Sequence, residues 1–178
     1  ETSPFPGSDY VAHQVLAHQV HGTNLLIRAG LEARLNRRSD VEKDLIRYLV
    51  FADEPPLELS RSDAESVLTH SQFADSFVKG GPRDARGNSL RDFSLVGRLF
   101  KHRLSYLIHS RLFDDLPTEC RNRLLERLWV GLSTESGDDS FNHLSHDERI
   151  AIIEIVRATI PRIPVCWQGH PTDDAGVR

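Results

Sequence analysis

Histidines and arginines are the side chains of this sequence whose types and spacing could support chemistry. Gln14, His18 and His21 occupy positions i, i+4 and i+7 of a helical pattern, so His18 and His21 share one helix face. Two such imidazoles can ligate a metal ion, or one of them a non-covalent haem, if another helix supplies further ligands. The alternative is a polar surface face, and the sequence shows no HExxH-type spacing that would favour a metal.

A basic segment from Lys79 to Arg111 is the second candidate. It contains eight Lys or Arg and two Asp, a formal charge of +6, whereas the whole chain carries -4. Guanidinium groups bind carboxylates and phosphates through paired hydrogen bonds, so the segment predicts a face that binds anions or a partner. That face consists of Arg83, Arg86, Arg91, Arg98 and Lys101. The alternative is a solvated face whose arginines pair with acidic residues of the same chain.

Nucleophilic catalysis has little support in the sequence. Ser105 and His109 are i, i+4 neighbours on a predicted helix, but a serine inside a helix usually hydrogen-bonds to its own backbone. Cys120 and Cys166 match no CxxC or zinc-ligand spacing and could be free or paired. The loop 80–88 has glycines but lacks both phosphate-binding patterns, GxxxxGK[ST] and GxGxxG. The residues therefore leave open whether the chain is an enzyme, and they call for no cofactor.

The composition predicts one globular domain. The chain has 178 residues, of which 39% are hydrophobic and 27% charged, enough for one sizeable core. No apolar run approaches the roughly 18 residues needed to cross a bilayer, so no transmembrane segment is expected. The modest net charge and the lack of aromatic residues among the basic ones argue against nucleic-acid binding. The absence of any Met suggests a processed chain or a fragment.

The elements that must position these residues are predicted to be helices. The periodicity predicts an all-α fold, an irregular bundle of six or seven helices without a significant sheet. Residues 1–7 are predicted to be an extended lead-in, 8–160 a single helical domain, and 161–178 an extended tail that contains prolines. In the first helix, apolar residues recur every three or four positions and share one face. They are Ala12, Leu16, Val20, Thr23, Ile27, Leu31 and Leu35.

Local signals predict where several helices begin and end. Three sequences with the form of a capping box, 39–42, 62–65 and 145–148, predict helix starts. Pro55 and Pro56 are expected to stop the second helix. Another helix is predicted to begin at Ser89, with an apolar stripe and an opposite polar stripe. The apolar stripe holds Phe93, Val96, Phe100, Leu104, Leu107 and Ile108, and the polar stripe holds Arg91, Arg98, Lys101, His102, Ser105 and His109.

Ordered motifs surround the basic segment. The chain has Gly81, Pro82, Asp84, Gly87, Ser89, Leu90 and Arg91, followed by Ser105, Tyr106, Leu107, Ile108 and Ser110. In these motifs the sequence resembles a C-terminal α-helical region of uncharacterised exported bacterial proteins, in which Gly-Pro-x-Asp, Gly-Arg-Ser-Leu-Arg and Pro-Cys-Ser-Tyr-Leu-Ile-Tyr-Ser follow one another. It departs from them at Asn88, at Arg103-Leu104 and at His109, where the pattern has Arg, Pro-Cys and Tyr.

The resemblance spans Val50 to Trp167, about two thirds of the chain. It implies a periplasmic or cell-envelope setting and a place in a larger protein, and it implies no activity. Together with the residues above, it predicts a non-catalytic interaction or accessory module that docks a protein partner or an upstream domain through the basic face. The alternative is a metal- or haem-binding helical protein that uses His18 and His21.

Overall fold

The chain folds as an all-α bundle, as predicted. The computed structural model describes residues 9–37, 40–134 and 138–168, and within these ranges it contains seven α-helices and no strand. The helices are α1 (Tyr10–Arg34), α2 (Val41–Leu49), α3 (Arg61–His70), α4 (Gln72–Lys79), α5 (Arg111–Asp114), α6 (Thr118–Ser133) and α7 (His146–Thr159). Short 3₁₀ turns cover Tyr106–His109, Asp139–Phe141 and Val165–Gln168. None of the described helices is long and apolar enough to cross a membrane.

Helix α1 is the central element of the bundle. It packs most extensively against α2 and also contacts α3, α4, α5 and α6. Close approach is possible because Gly22 has no side chain: a Cβ there would lie 2.3 Å from Cδ1 of Leu107 and 2.9 Å from Cε1 of Tyr48. The buried residues of α1 include Val11, Val15 and the small Ala29. Through the close approach at Gly22, α1 positions its own His18 and His21 near Tyr48.

Helix α2 ends earlier than the prolines that were expected to stop it. Its last residue is Leu49, and the N–H of Ala52 donates to the carbonyl of Arg47 at 2.9 Å. A second bond, from the N–H of Phe51 to the carbonyl of Tyr48, completes a Schellman C-cap. Phe51 thus takes the left-handed position that glycine usually fills, with φ of 56°. This conformation turns the Phe51 ring back towards α1.

The capping signals were right in kind but not in every position. The N-cap residue of α3 is Ser60, two residues before the cap of the predicted box, and the Ser60 side chain accepts from the N–H of Asp63 at 3.1 Å. Helix α7 begins where predicted, and Ser145 accepts from the N–H of Glu148 at 3.3 Å. Ser39 lies outside the described residues, and Asp40 precedes α2 without a side-chain cap. Local hydrogen bonds therefore explain these helix starts.

The prediction of a helix that begins at Ser89 is wrong. Residues 89–105 form turns instead, and Phe93 and Phe100 make an isolated antiparallel β-bridge. Leu95 and Gly97 have positive φ values of 57° and 70°, which reverse the chain between the two phenylalanines. The spacing of apolar residues was real, since several are buried, but a folded-back loop buries them. The predicted polar stripe from Arg91 to His109 therefore does not exist as one helix face.

The structure describes part of the predicted C-terminal tail but none of the predicted N-terminal lead-in. The lead-in 1–7 and the tail residues 169–178 lie outside the described residues. Residues 161–168, which were expected to be extended tail, instead belong to the bundle. Trp167 is fully buried in a 3₁₀ turn, and its indole N–H donates to the carbonyl of Leu125 at 2.9 Å. Burial of the large Trp167 ring away from water holds this segment against α6.

Gly131 of α6 provides a test of the packing. A Cβ at this position would lie 2.3 Å from the ring of Phe141, which is itself buried. We expect Gly131→Ala to lower the free energy of unfolding by about 1–3 kcal/mol, because the close-packed ring has to move. Urea unfolding measures this loss. The double variant with Phe141→Leu is expected to recover part of it, whereas additive effects would contradict the contact.

Candidate functional site

The predicted basic face is engaged within the chain. Arg83 donates to the carboxylate of Asp92 at 3.0 Å, and Arg86 donates to Glu154 at 2.8 Å. Lys101 donates to the side-chain oxygen of Asn88 at 3.3 Å. The contacts of Arg83 and Arg86 are the internal pairing with acidic residues that the sequence left open as the alternative. Of these ion pairs, the one at Arg86 is the more exposed, with 72% of that side chain open to solvent.

Glu148 connects two arginines of the segment. Its carboxylate accepts from Arg98 at 3.0 Å and from Arg103 at 2.6 Å, and it also accepts the backbone N–H of Arg103 at 3.0 Å. Burial by itself raises the pKa of this carboxyl, but the hydrogen bonds from Arg103 and the charges of both arginines lower the pKa below its ordinary value. Glu148 therefore ties the irregular loop to the first turn of α7.

Arg91 is held by aromatic rings. Its guanidinium carbon lies 4.9 Å from the ring centre of Phe77 and 5.5 Å from that of Tyr106. It also donates to the carbonyl of Phe77 at 3.4 Å. A cation over two ring faces stabilises the packing of α4 against the 3₁₀ turn. The structure thus assigns each of the five predicted basic residues a contact within this chain.

His18 is a buried histidine in the core. Its Nε2 lies 2.7 Å from the hydroxyl oxygen of Ser105, and its ring stacks between Tyr48 and Phe51, with centroids 4.9 and 4.8 Å away. Burial, assisted by His21, lowers the pKa of His18 to about 4, so the imidazole is neutral at pH 7. Because Nε2 is engaged by Ser105, only Nδ1 remains for another ligand. The sequence could not reveal this contact, which joins residues 87 positions apart.

His18 and His21 line one cavity, of about 650 Å³, between α1 and α2. His21 is exposed and packs on the ring of Tyr48, with centroids 4.7 Å apart. Glu54 lies at the cavity mouth: the residue is exposed, yet the surrounding protein excludes enough water to raise the pKa of its carboxyl to about 7. In the described part of the chain, no three His, Cys, Asp or Glu side chains form a group that could hold a metal ion.

The predicted Ser105–His109 neighbours are not paired. The Ser105 side chain instead caps a 3₁₀ turn by accepting from the N–H of Leu107 at 3.2 Å, in addition to its contact with His18. His109 contacts the hydroxyl of Thr159 at 2.8 Å. Ser105 has no exposed surface, so a substrate has no path to its hydroxyl. Ser105 and His18 therefore form a structural contact rather than a catalytic pair.

The outer face of α1 carries most of the apolar residues that were predicted to share one helix face. An apolar stripe of an amphipathic helix ordinarily faces the core. Here its large members are 45–59% exposed, and the last of them, Leu35, is the C-cap residue that directly follows α1. We call these five residues the outer stripe: Leu16, Val20, Ile27, Leu31 and Leu35. The core contacts the opposite face of α1. Helix α1 therefore carries apolar residues on two sides. Its buried side includes small residues and His18 as well as larger aliphatic residues.

The comparisons with known proteins supply no family for this chain. The sequence was compared with protein-family models, with curated proteins and with solved structures, and none of the three comparisons gives a match. The motif resemblance around the basic segment therefore stays an expectation.

Proposed function

We propose that this chain is a non-catalytic interaction module that docks a protein partner through the outer stripe of α1. The observation that carries the proposal is the exposure of five large aliphatic side chains along the central helix. From Leu16 to Leu35 the stripe runs about 28 Å along one helix. A partner helix with its own apolar face fits such a stripe, because it can cover the full length with side chains at helical spacing.

The distribution of exposed apolar residues supports a binding surface. Single exposed apolar side chains are common on proteins, whereas the largest contiguous apolar patch of a monomer, about 300–600 Å², is often a functional site. The other large exposed hydrophobic residues of the described chain are Val96, Val130 and Val165, which lie on three separate segments. Among the residues that the structure describes, such side chains form a row only along α1. Covering that row with a partner removes apolar surface from water.

This docking surface replaces the basic face that the sequence suggested. Arg83, Arg86 and Arg98 already contact carboxylates of their own chain. An acidic partner would have to displace those carboxylates, so its gain in free energy would be small. The outer stripe has no such competitor in the described residues, since its side chains remain open. The bacterial envelope, which the motif resemblance implies, is the setting that we propose for this docking.

Photo-crosslinking tests the proposed surface. We expect p-benzoylphenylalanine in place of Val20 to crosslink to a protein when cells of the chain's own species are irradiated, because the side chain faces the partner. Mass spectrometry identifies the crosslinked chain and the peptide attached at position 20. The matched control places the same photoreactive residue at Val130, which is exposed to the same 52%. Equal crosslinking at both positions, or none at position 20, would overturn the proposal.

A further inference from the structure

Four of the five residues of the outer stripe are spaced symmetrically along α1, and only Leu35 lies outside this arrangement. Leu16 and Leu31 lie equally far from the point between Thr23 and Asn24, and so do Val20 and Ile27. If a second helix of the same sequence lies antiparallel about this point, Leu16 comes level with Leu31 of that helix. Val20 likewise comes level with Ile27. A surface that matches itself after a twofold rotation is the requirement for a symmetric pair.

We propose that the partner docked on the outer stripe is a second copy of this chain, with the two α1 helices antiparallel and the twofold axis between Thr23 and Asn24. This inference rests on the proposed function and identifies its partner. The period of the stripe suits such a contact. Leu16 and Ile27 are eleven residues apart, as are Val20 and Leu31. An eleven-residue period stays close to that of a straight helix, so the stripe remains on one face over its full length.

The charges of α1 favour the antiparallel direction. From Tyr10 to Thr23 the helix contains no Asp, Glu, Lys or Arg, whereas its second half carries Arg28, Glu32 and Arg34. A parallel pair in register would place each arginine beside its own equivalent, and like charges repel. In the antiparallel pair Arg28 comes level with Gln19 of the second copy. The two helix dipoles also oppose each other, which is favourable.

The size of the stripe predicts a reversible dimer. Five half-exposed aliphatic side chains present a few hundred Å² of apolar surface. Stable complexes bury about 800 Å² on each partner, so polar residues beside the stripe have to complete the interface. We therefore expect a dissociation constant of about micromolar, with monomers at lower concentration.

Sedimentation equilibrium tests the identity of the partner. We expect the purified chain to dimerise with rising concentration, and the variant Leu16→Gln, Val20→Gln, Ile27→Gln, Leu31→Gln to raise the dissociation constant about a hundredfold or more. Glutamine is a good helix former, so circular dichroism should show an unchanged fold. The matched control, Val96→Gln with Val130→Gln, changes exposed residues away from α1 and should dimerise normally. A wild-type chain that stays monomeric at several hundred micromolar would overturn the inference.

Disulfide trapping tests the direction of the helices. In a Cys166→Ser background, where the remaining Cys120 is buried, we expect copies with Leu16→Cys to form a disulfide with copies that carry Leu31→Cys. Copies with Leu16→Cys alone should not pair with each other. Their two positions lie about 22 Å apart along an antiparallel pair, beyond the roughly 7 Å between Cα atoms that a disulfide can span.

The possible results separate this inference from the proposed function. Efficient pairing of Leu16→Cys with itself would show a parallel dimer and overturn the antiparallel arrangement, while docking through α1 would stand. A monomeric chain that is photo-crosslinked at position 20 to a different protein would sink self-pairing and keep the proposed function. If the chain shows no self-association and no crosslink at position 20, both the inference and the proposed function are overturned.

Discussion

Replacing Glu148 with alanine should lower the free energy of unfolding by about 3 kcal/mol, one of the two largest effects that we expect in this chain. Only 8% of the Glu148 side chain is exposed, and its carboxylate accepts hydrogen bonds from Arg98, from Arg103 and from a backbone N–H. Its removal leaves two partly buried guanidinium groups without their shared partner, and an unpaired buried charge is costly. Urea unfolding at pH 7 measures the change.

Glu154→Ala is the matched control for this prediction. Glu154 lies on the same helix and also pairs with an arginine of the loop, Arg86, but that arginine is largely exposed. Exposed ion pairs contribute about 0–1 kcal/mol, so we expect a small effect. Equal losses for the two variants would contradict the special role of Glu148.

Acid should destabilise the fold through His18. Burial lowers the pKa of His18 from 6.5 to about 4, so below pH 6.5 the unfolded chain takes up a proton that the folded chain excludes. Stability is therefore fully present above pH 6.5 and is lost as the pH falls towards 4. The loss is about 1.4 kcal/mol for each pH unit, or roughly 3 kcal/mol in total for this residue.

The variant His18→Gln isolates this contribution. Glutamine does not titrate and can still hydrogen-bond to Ser105, so stability measured from pH 7 to pH 4.5 should fall less steeply in the variant than in the wild type. The comparison with wild type is needed because the raised pKa of Glu54 acts in the opposite direction over the same range. The same substitution at the exposed His13 controls for changing a histidine of α1. Identical slopes for wild type and His18→Gln would contradict a neutral, buried His18.

Short-range patterns were sufficient to predict most helices. The spacing of apolar residues and the side-chain caps at Ser145 act within one or two turns, and helix geometry turns such spacing directly into faces. The same reasoning failed between Ser89 and Ser105. There the left-handed Leu95 and Gly97 reverse the chain, and the bridge between Phe93 and Phe100 closes the loop. A periodic pattern cannot show that a buried residue has adopted such a conformation.

The outer stripe also shows which features local sequence patterns predict and which depend on the tertiary structure. The sequence by itself determined an all-α chain and grouped Leu16, Val20, Ile27 and Leu31 on one face of α1, because helical periodicity is a local property. Only the tertiary structure decided that this face points to solvent. The bundle covers the opposite side, where Gly22 permits close packing and His18 meets Ser105 from a distant segment. Burial is a property of the whole assembly of helices, so no spacing within one helix can specify it.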